Sequence, residues 1–456
     1  MDLISLFEKL VALGALTQAL FPLMLIIFVI TLAFSASKKA KGLKYAATNE
    51  AAKGIIFGKK YGLRIYSPAT QEGHCCVFGG SGLGKTSALL IPSLRAWPSS
   101  SSFTIDISGD ISANVDAPNK LVFEPGSDSS VPYDIFAAID ALTDRDDQDE
   151  ALEQLAFLIM PDIANSNSDA ADFYNREGRK ILTASLIAFY HHGVDFVEIC
   201  RTIISLSYKE LFRQIDASND QKAILFINGF EGSNEQNTSG CKQSCDAAIK
   251  LFATNERIRK NIRRPTVNEK AFTPSTIANH NVFVIIPDEK LKLYAPLMHI
   301  IVAQSLEFFS SRPLSDRTQI LFCIDEFASF GKLELTEALR KLRKRHIRIM
   351  VLTQSLADID LIYGKDERKA MMNNFRFKVL LGADDTDTQD YFARLIGKKE
   401  VTKKSYTTSE KSYSNTTSST MEWAIEPADL AHLGNHLILL HPDGFIKLRK
   451  NFYFKQ

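Results

Sequence analysis

In CCVFGGSGLGKTSALLIPSL, Gly79 to Thr86 meet the spacing GxxxxGK[ST], with an apolar run before them and a helical pattern after. Glycines at Gly79, Gly80, Gly82 and Gly84 let the backbone turn its N–H groups inward, and Ser81 and Leu83 add two more amides. A helix N-terminus behind such a loop contributes its dipole, Lys85 a point charge at the β and γ phosphates, and Thr86 a hydroxyl for Mg²⁺. Residues Gly79 through Ser87 are therefore the expected nucleotide site, with ATP and Mg²⁺ as cofactors. Small-molecule kinases carry the same loop, so it specifies phosphate binding and not the reaction it serves.

A second apolar run, QILFCIDEF, ends in two carboxylates. In that position Asp325 is suited to hold Mg²⁺, directly or through water, and Glu326 to polarise the attacking water. Farther on, IRIMVLTQS puts Gln354 at the C-terminal end of another strand, the edge where ligands gather in open parallel sheets. There it can sense the γ-phosphate or orient water. The run RKLRKRHIR carries Arg340, Lys341, Arg343, Lys344, Arg345 and Arg348 on a helix end and strand start. Such a run is ordinarily a solvated face, but an arginine of this kind can complete a neighbour's active site. Basic residues facing a pore would hold DNA phosphates instead.

The elements that must position these groups follow from hydrophobic period. Short strands joined by glycine turns are expected over residues 45–73, then strands at His74 to Phe78, Ser102 to Ile107, Lys120 to Phe123, Asn281 to Ile286, Gln319 to Ile324, Ile347 to Leu352, Phe375 to Leu381 and His436 to Leu440. Alternation with helical patterns predicts an α/β sheet covered on both faces. From about Asp140 to Asn261 the period is helical, which predicts an all-α insertion. Lys403 to Thr420 is Ser/Thr-rich with nothing to bury and reads as a mobile surface loop.

Residues 11–37 contain no charged side chain, enough length for one membrane helix. Lys38, Lys39, Lys41 and Lys44 follow it, so a single pass with the body in the cytoplasm is expected. A cleaved signal peptide fits less well, lacking a basic start. The net charge of +1 argues against a uniformly basic nucleic-acid binder, leaving local patches to carry any such contact. Six cysteines without a CxxC pair suit a reducing compartment. Cys241 with Cys245, and His432 with His436, share one-turn spacing but lack the partners a metal site needs.

The block CIDEFASFGKLELTEALRKLRKRHIRIMVLTQSLADIDLIYG resembles the coupling ATPases of type IV secretion, the TraG/TraD family, in its DEF, GKL-like turn, Gln-Ser strand end and YG element. The likeness runs on through MMNNFRFKVLLGADDTDTQDYFARLIGK and back through LVFEPGSDSSVPYDIF, FTIDISGD and the GKT loop. It implies a RecA-like P-loop NTPase with a mainly parallel sheet: a membrane anchor over 1–37, a nucleotide-binding domain in two parts, 38–139 and 262–456, and an inserted all-α domain over 140–261. It also implies a homo-hexamer in the bacterial inner membrane that couples relaxase-bound single-stranded DNA (the relaxosome) to a type IV secretion channel. Counting back from Gln354 places Arg343 where relatives carry a trans-acting arginine, with Arg340 and Arg345 as substitutes. Alternatives within reach of the same residues are an ATP-dependent adaptor for protein effectors and a DNA-partitioning motor. Where relatives often have Lys-Gly-Glu, this chain has Ser108, Gly109 and Asp110 after Asp106. One membrane helix is expected rather than two, and no extended C-terminal tail.

Overall fold

The computed structural model describes residues 42–47, 52–99, 101–162, 169–409 and 412–455. Residues 11–37, where the membrane helix is expected, lie outside them. Among the described residues no helix is long and apolar enough to cross a membrane.

The strands in chain order are β1 Lys44–Ala46, β2 Gly54–Lys60, β3 Leu63–Pro68, β4 His74–Phe78, β5 Ser102–Asp106, β6 Lys120–Phe123, β7 Asn281–Ile285, β8 Ile320–Ile324, β9 Ile347–Thr353, β10 Phe375–Leu380, β11 Lys398–Ser409, β12 Ser412–Trp423, β13 His436–His441 and β14 Gly444–Arg449. All but β11 and β12 form one sheet in the order β1-β3-β2-β14-β13-β10-β4-β9-β8-β5-β7-β6. Pairing is parallel from β10 to β6 and antiparallel from β13 to β1. The parallel half reads as buried apolar runs because helices cover both faces. Alternate side chains of one strand enter different cores: Cys76 and Phe78 of β4 pack with the helical insertion, Cys75 and Val77 with the helix after the phosphate loop. The β2–β3 hairpin closes on Tyr61 and Gly62, both with positive φ (51° and 79°), the geometry that matches strand twist in a two-residue turn.

Between β6 and β7 the chain is helical, from Ala137–Asp140 to Glu256–Asn261. Side chains of Asp144, Ser207, Asp220, Asn234 and Asn255 accept from backbone N–H groups at successive helix starts. The longest helix, Asp169–Tyr190, buries an almost continuous stripe from Ile181 to Ala188 against Glu235–Thr254 and Phe196–Ser205. Cys241 and Cys245 belong to that packing, and burial raises both thiols, to about 11 and about 12.

One expectation is corrected. Within the stretch Lys403 to Thr420, residues 403–409 and 412–420 are not loop but strand, β11 pairing antiparallel with β12 from Lys398↔Trp423 to Ser409↔Ser412. Threonine and tyrosine favour the pleated backbone, and a ladder satisfies its N–H and C=O groups without any apolar face.

Candidate nucleotide site

β4 ends at Phe78 and the chain turns through Gly79–Gly84 into the helical stretch 85–95. Gly82 and Gly84 hold φ of 74° and 98°, a region other residues rarely enter. Gly79 N–H donates to Thr353 O at the end of β9, tying the loop to the neighbouring strand. Lys85, only 6% exposed, points back into the loop, donating to Gly79 O at 2.8 Å and pairing with Glu326 Oε1 at 2.8 Å. Thr86 Oγ1 lies 3.4 Å from Asp325 Oδ2. The two motifs singled out in the sequence, 239 residues apart, therefore form one site.

Asp325 directly follows β8 and is buried; desolvation, with the nearby Glu326 carboxylate, pushes its pKa up to about 7. Its Oδ1 is buried with no hydrogen-bond partner among the described residues. A buried carboxylate with an unused oxygen next to a threonine hydroxyl fits a hard, oxygen-seeking cation, so Thr86 and Asp325 suit Mg²⁺. Glu326 takes a left-handed backbone (φ 46°, ψ 49°), which turns its carboxylate toward Lys85 at a cost of about 1–2 kcal/mol. Strain of this kind at a non-glycine residue persists where surroundings over-determine it.

Gln354 follows Thr353, which pairs in register with Phe78, so Gln354 emerges beside Gly79 and is exposed. Arg343 emerges elsewhere. It lies in Leu342–Arg345, before β9 begins, while the phosphate loop follows the far end of β4. The six steps of β9 from Ile347 to Thr353 separate those ends by roughly 20 Å. Arg343 is 54% exposed and pairs loosely with Glu72 at 3.6 Å. It lines a cavity of about 270 Å³ with Arg340, Lys344, Arg376, Asn373, Asn374 and Leu339, and no carboxylate. Within one chain, then, the structure unites Lys85, Thr86, Asp325, Glu326 and Gln354 and leaves Arg343 outside.

Arg348 corrects the reading of the basic run as a solvated face. It is fully buried, donating to Gly73 O and Pro68 O at 2.9 Å and lying over the Phe377 ring. β9 is buried along its whole length, so no alternation sets Arg348 apart; its place inside the apolar run IRIMVLT is the signal the sequence offers. His74, at the start of β4, was also not singled out. It is buried and neutral, with burial lowering its pKa to about 3; Nε2–H donates to Leu339 O and Nδ1 accepts from Ile349 N–H. Asp106, at the level of Asp325 on the adjacent β5, accepts from Gly109 N–H at 2.9 Å and Ser112 N–H at 2.7 Å. It thereby folds the Ser108–Asp110 turn back beside the site. Finally, Phe452 packs on the loop itself: a β-carbon at Gly84 would sit 2.9 Å from its Cε1.

Residues 33–456 match the family described as type IV secretory system conjugative DNA transfer. Protein VirD4 of Agrobacterium fabrum is 22% identical over 434 residues, 88% of this chain and 62% of the relative. The conjugal transfer protein TraG of Rhizobium radiobacter is 22% identical over 365 residues, 75% of this chain and 54% of the relative. The chain thus spans roughly half to three-fifths of the length of these relatives. Among solved structures, the unbound conjugative coupling protein TrwBdeltaN70 superposes with TM-score 0.69 at 19% identity, covering 90% of this chain and 91% of that one. TrwB in complex with ADP and Mg²⁺ gives TM-score 0.67 at 20% identity, covering 90% and 92%. These likenesses establish a shared fold.

Proposed function

The chain belongs to the type IV secretory system conjugative DNA transfer family, and from that membership we propose that it is a RecA-like coupling ATPase. It binds ATP and Mg²⁺, assembles as a homo-hexamer, and couples relaxase-bound single-stranded DNA to a type IV secretion channel. Residues 11–37 anchor it in the bacterial inner membrane with the catalytic body in the cytoplasm. The observation that carries the ATPase reading is the closure of Lys85 and Thr86 onto Glu326 and Asp325. Relatives named for VirD4, TraG and TrwB support the transfer role.

In this reading the loop amides and Lys85 would bind the phosphates, and Thr86 and Asp325 would hold Mg²⁺, which would supply neutralisation of the charge developing on the phosphates. Lys85 leaves the Glu326 carboxylate for the phosphate, and the freed Glu326 takes a proton from the attacking water. Gln354, exposed beside Gly79, orients that water. Arg343 acts on a neighbouring copy, because its own site lies across the sheet.

The test uses the full chain in membranes or detergent. Lys85→Ala and Arg343→Ala each abolish turnover alone, and mixing the two restores part of it, because mixed interfaces pair an intact loop with an intact arginine. Donor cells carrying either variant lose plasmid transfer. Turnover surviving in Lys85→Ala refutes the ATPase reading; absence of rescue at every mixing ratio refutes only the trans role of Arg343.

A further inference from the structure

The last described residues run along the phosphate-loop helix. Tyr453 packs under Arg95 near that helix's C-terminal end, guanidinium 5.0 Å from the ring centroid. Phe452 reaches the opposite end, against Gly84 and close to Ser87: the Gly84 β-carbon position is 2.9 Å from Phe452 Cε1 and 3.5 Å from Ser87 Oγ. Asn451, 1% exposed, and a Lys450 N–H donated to Asn435 O fix where this segment leaves β14. Phe454 then stands over Phe452, centroids 5.3 Å apart and planes at 31°, and is 60% exposed. Lys455 Nζ lies 5.2 Å from the Phe452 centroid and 5.9 Å from that of Phe454.

Phe452 and the mostly exposed Phe454 offer aromatic faces beside a polar loop, a surface that suits a flat partner. The loop's direction says what that is. Lys85 and Thr86 face Glu326 and Asp325 on the β8 side of β4 and mark the β and γ phosphates and Mg²⁺, whereas β14, which leads into Phe452, lies on the other side of β4. A nucleotide with its terminal phosphates on the β8 side extends its sugar and base toward the side of Gly84 where Phe452 sits. Every nucleobase has a π face, and stacking on aromatic side chains tolerates its identity.

We propose that Phe452 and Phe454 form the nucleobase platform of this site, with Lys455 held at its rim by both rings. The inference rests on the nucleotide reading of Lys85 and its loop, and adds a subsite that the phosphate motifs do not contain. It also assigns the Gly84 contact a purpose: the absence of a side chain there lets the ring approach the bound nucleotide's path.

The experiment measures equilibrium binding of ATP and of inorganic tripolyphosphate, each with Mg²⁺, to the full chain. The polyphosphate keeps the charge and lacks the base. Phe452→Ala weakens ATP by at least about fivefold, the low end of what removing a stacking aromatic does, and leaves tripolyphosphate within about twofold. Phe454→Ala, whose exposed ring packs on Phe452, weakens ATP in the same selective way, and Phe452→Trp retains ATP and gains fluorescence quenching when ATP binds. Equal weakening of both ligands by Phe452→Ala, or no weakening of ATP by either alanine variant, overturns the platform. Lys85→Ala reports separately: it weakens both ligands, and if it weakens neither the phosphate-site reading itself falls.

Discussion

Asp325→Asn should stabilise the protein in the absence of nucleotide and Mg²⁺, although it removes the carboxylate proposed to hold Mg²⁺. In the folded chain the Asp325 pKa is raised to about 7, chiefly by burial, whereas an unfolded aspartate titrates near 3.9. Below about pH 4 both states hold the proton and the group is silent. Between about pH 4 and 7 the unfolded chain releases it while the folded chain keeps it, so unfolding gains about 1.4 kcal/mol per pH unit. Above pH 7 both are ionised and the penalty levels off, at about 4 kcal/mol for a shift of about 3 units. Asparagine has no such limb. Urea denaturation of both proteins from pH 4 to 8 in EDTA should therefore give a difference that is near zero at pH 4, grows with pH, and is flat by pH 8. Titrating groups remote from Asp325 cancel in the difference. Added Mg²⁺ should narrow the gap at pH 8 by stabilising the wild type and should leave Asp325→Asn unmoved, because a cation beside Asp325 compensates the buried charge. A variant less stable than wild type at pH 8 in EDTA, or a gap that widens with Mg²⁺, would show that the Asp325 carboxylate is not a desolvated group awaiting a cation.

The same accounting has the opposite sign for His74. Its folded pKa is lowered to about 3, against about 6.5 unfolded, so its contribution is intact above pH 6.5 and declines by about 1.4 kcal/mol per unit as pH falls toward 3. His74→Leu should lower stability at pH 7 by removing the contacts to Leu339 and Ile349, yet lose less than wild type on acidification; parallel acid limbs in urea titrations would refute a neutral buried imidazole. Arg348→Met should cost about 2 kcal/mol, since the carbonyls of Gly73 and Pro68 lose their buried donor, partly offset by no longer burying a cation. A higher urea midpoint would show that desolvation dominates. Glu326→Gln should lower turnover by about 10²- to 10⁴-fold while ATP binds at least as tightly, because Lys85 is freed from its carboxylate partner; weakened ATP binding would mean that Glu326 holds the loop open rather than restraining its lysine.

The strands were legible because parallel strands buried on both faces are plain apolar runs, and β4 through β10 begin and end within a residue or two of those runs. The phosphate loop and the Asp325–Glu326 pair were legible for a related reason: each sits where such a run stops. Their juxtaposition was not, since no local pattern says that β9 separates β4 from β8 in the sheet. His74 and Arg348 escaped because a polar residue inside a strand carries no mark of which carbonyls await it. The β11–β12 hairpin was misread because low hydrophobicity suggested a loop, while the β preference of Thr and Tyr pointed the other way. Phe452 had a visible signal, the aromatic run of NFYF after the last strand, but only the fold reveals that β14 returns it to the loop.

The placement of the basic run carries the strongest argument for assembly. Lys85 and Glu326 lie at one end of the parallel strands and Arg343 at the other, so the proposed role of Arg343 could be played only on another copy. Arg348 and Arg376 stand just inside that second end. Burial lowers the pKa of Arg348 to about 10, with Arg376 adding to the effect, while the Nε of Arg376 is buried without a hydrogen-bond partner among the described residues. Glu72, at 3.6 Å from Arg343, is a weak counterweight to so many cations. An excess of positive charge around a concave surface favours an anion brought from outside, and under the proposed hexamer that anion would be the terminal phosphate of a nucleotide on the next copy. In the proposed ring each interface would satisfy an unfinished loop and an uncompensated cationic face at once, so ATP binding and subunit contact would stabilise each other.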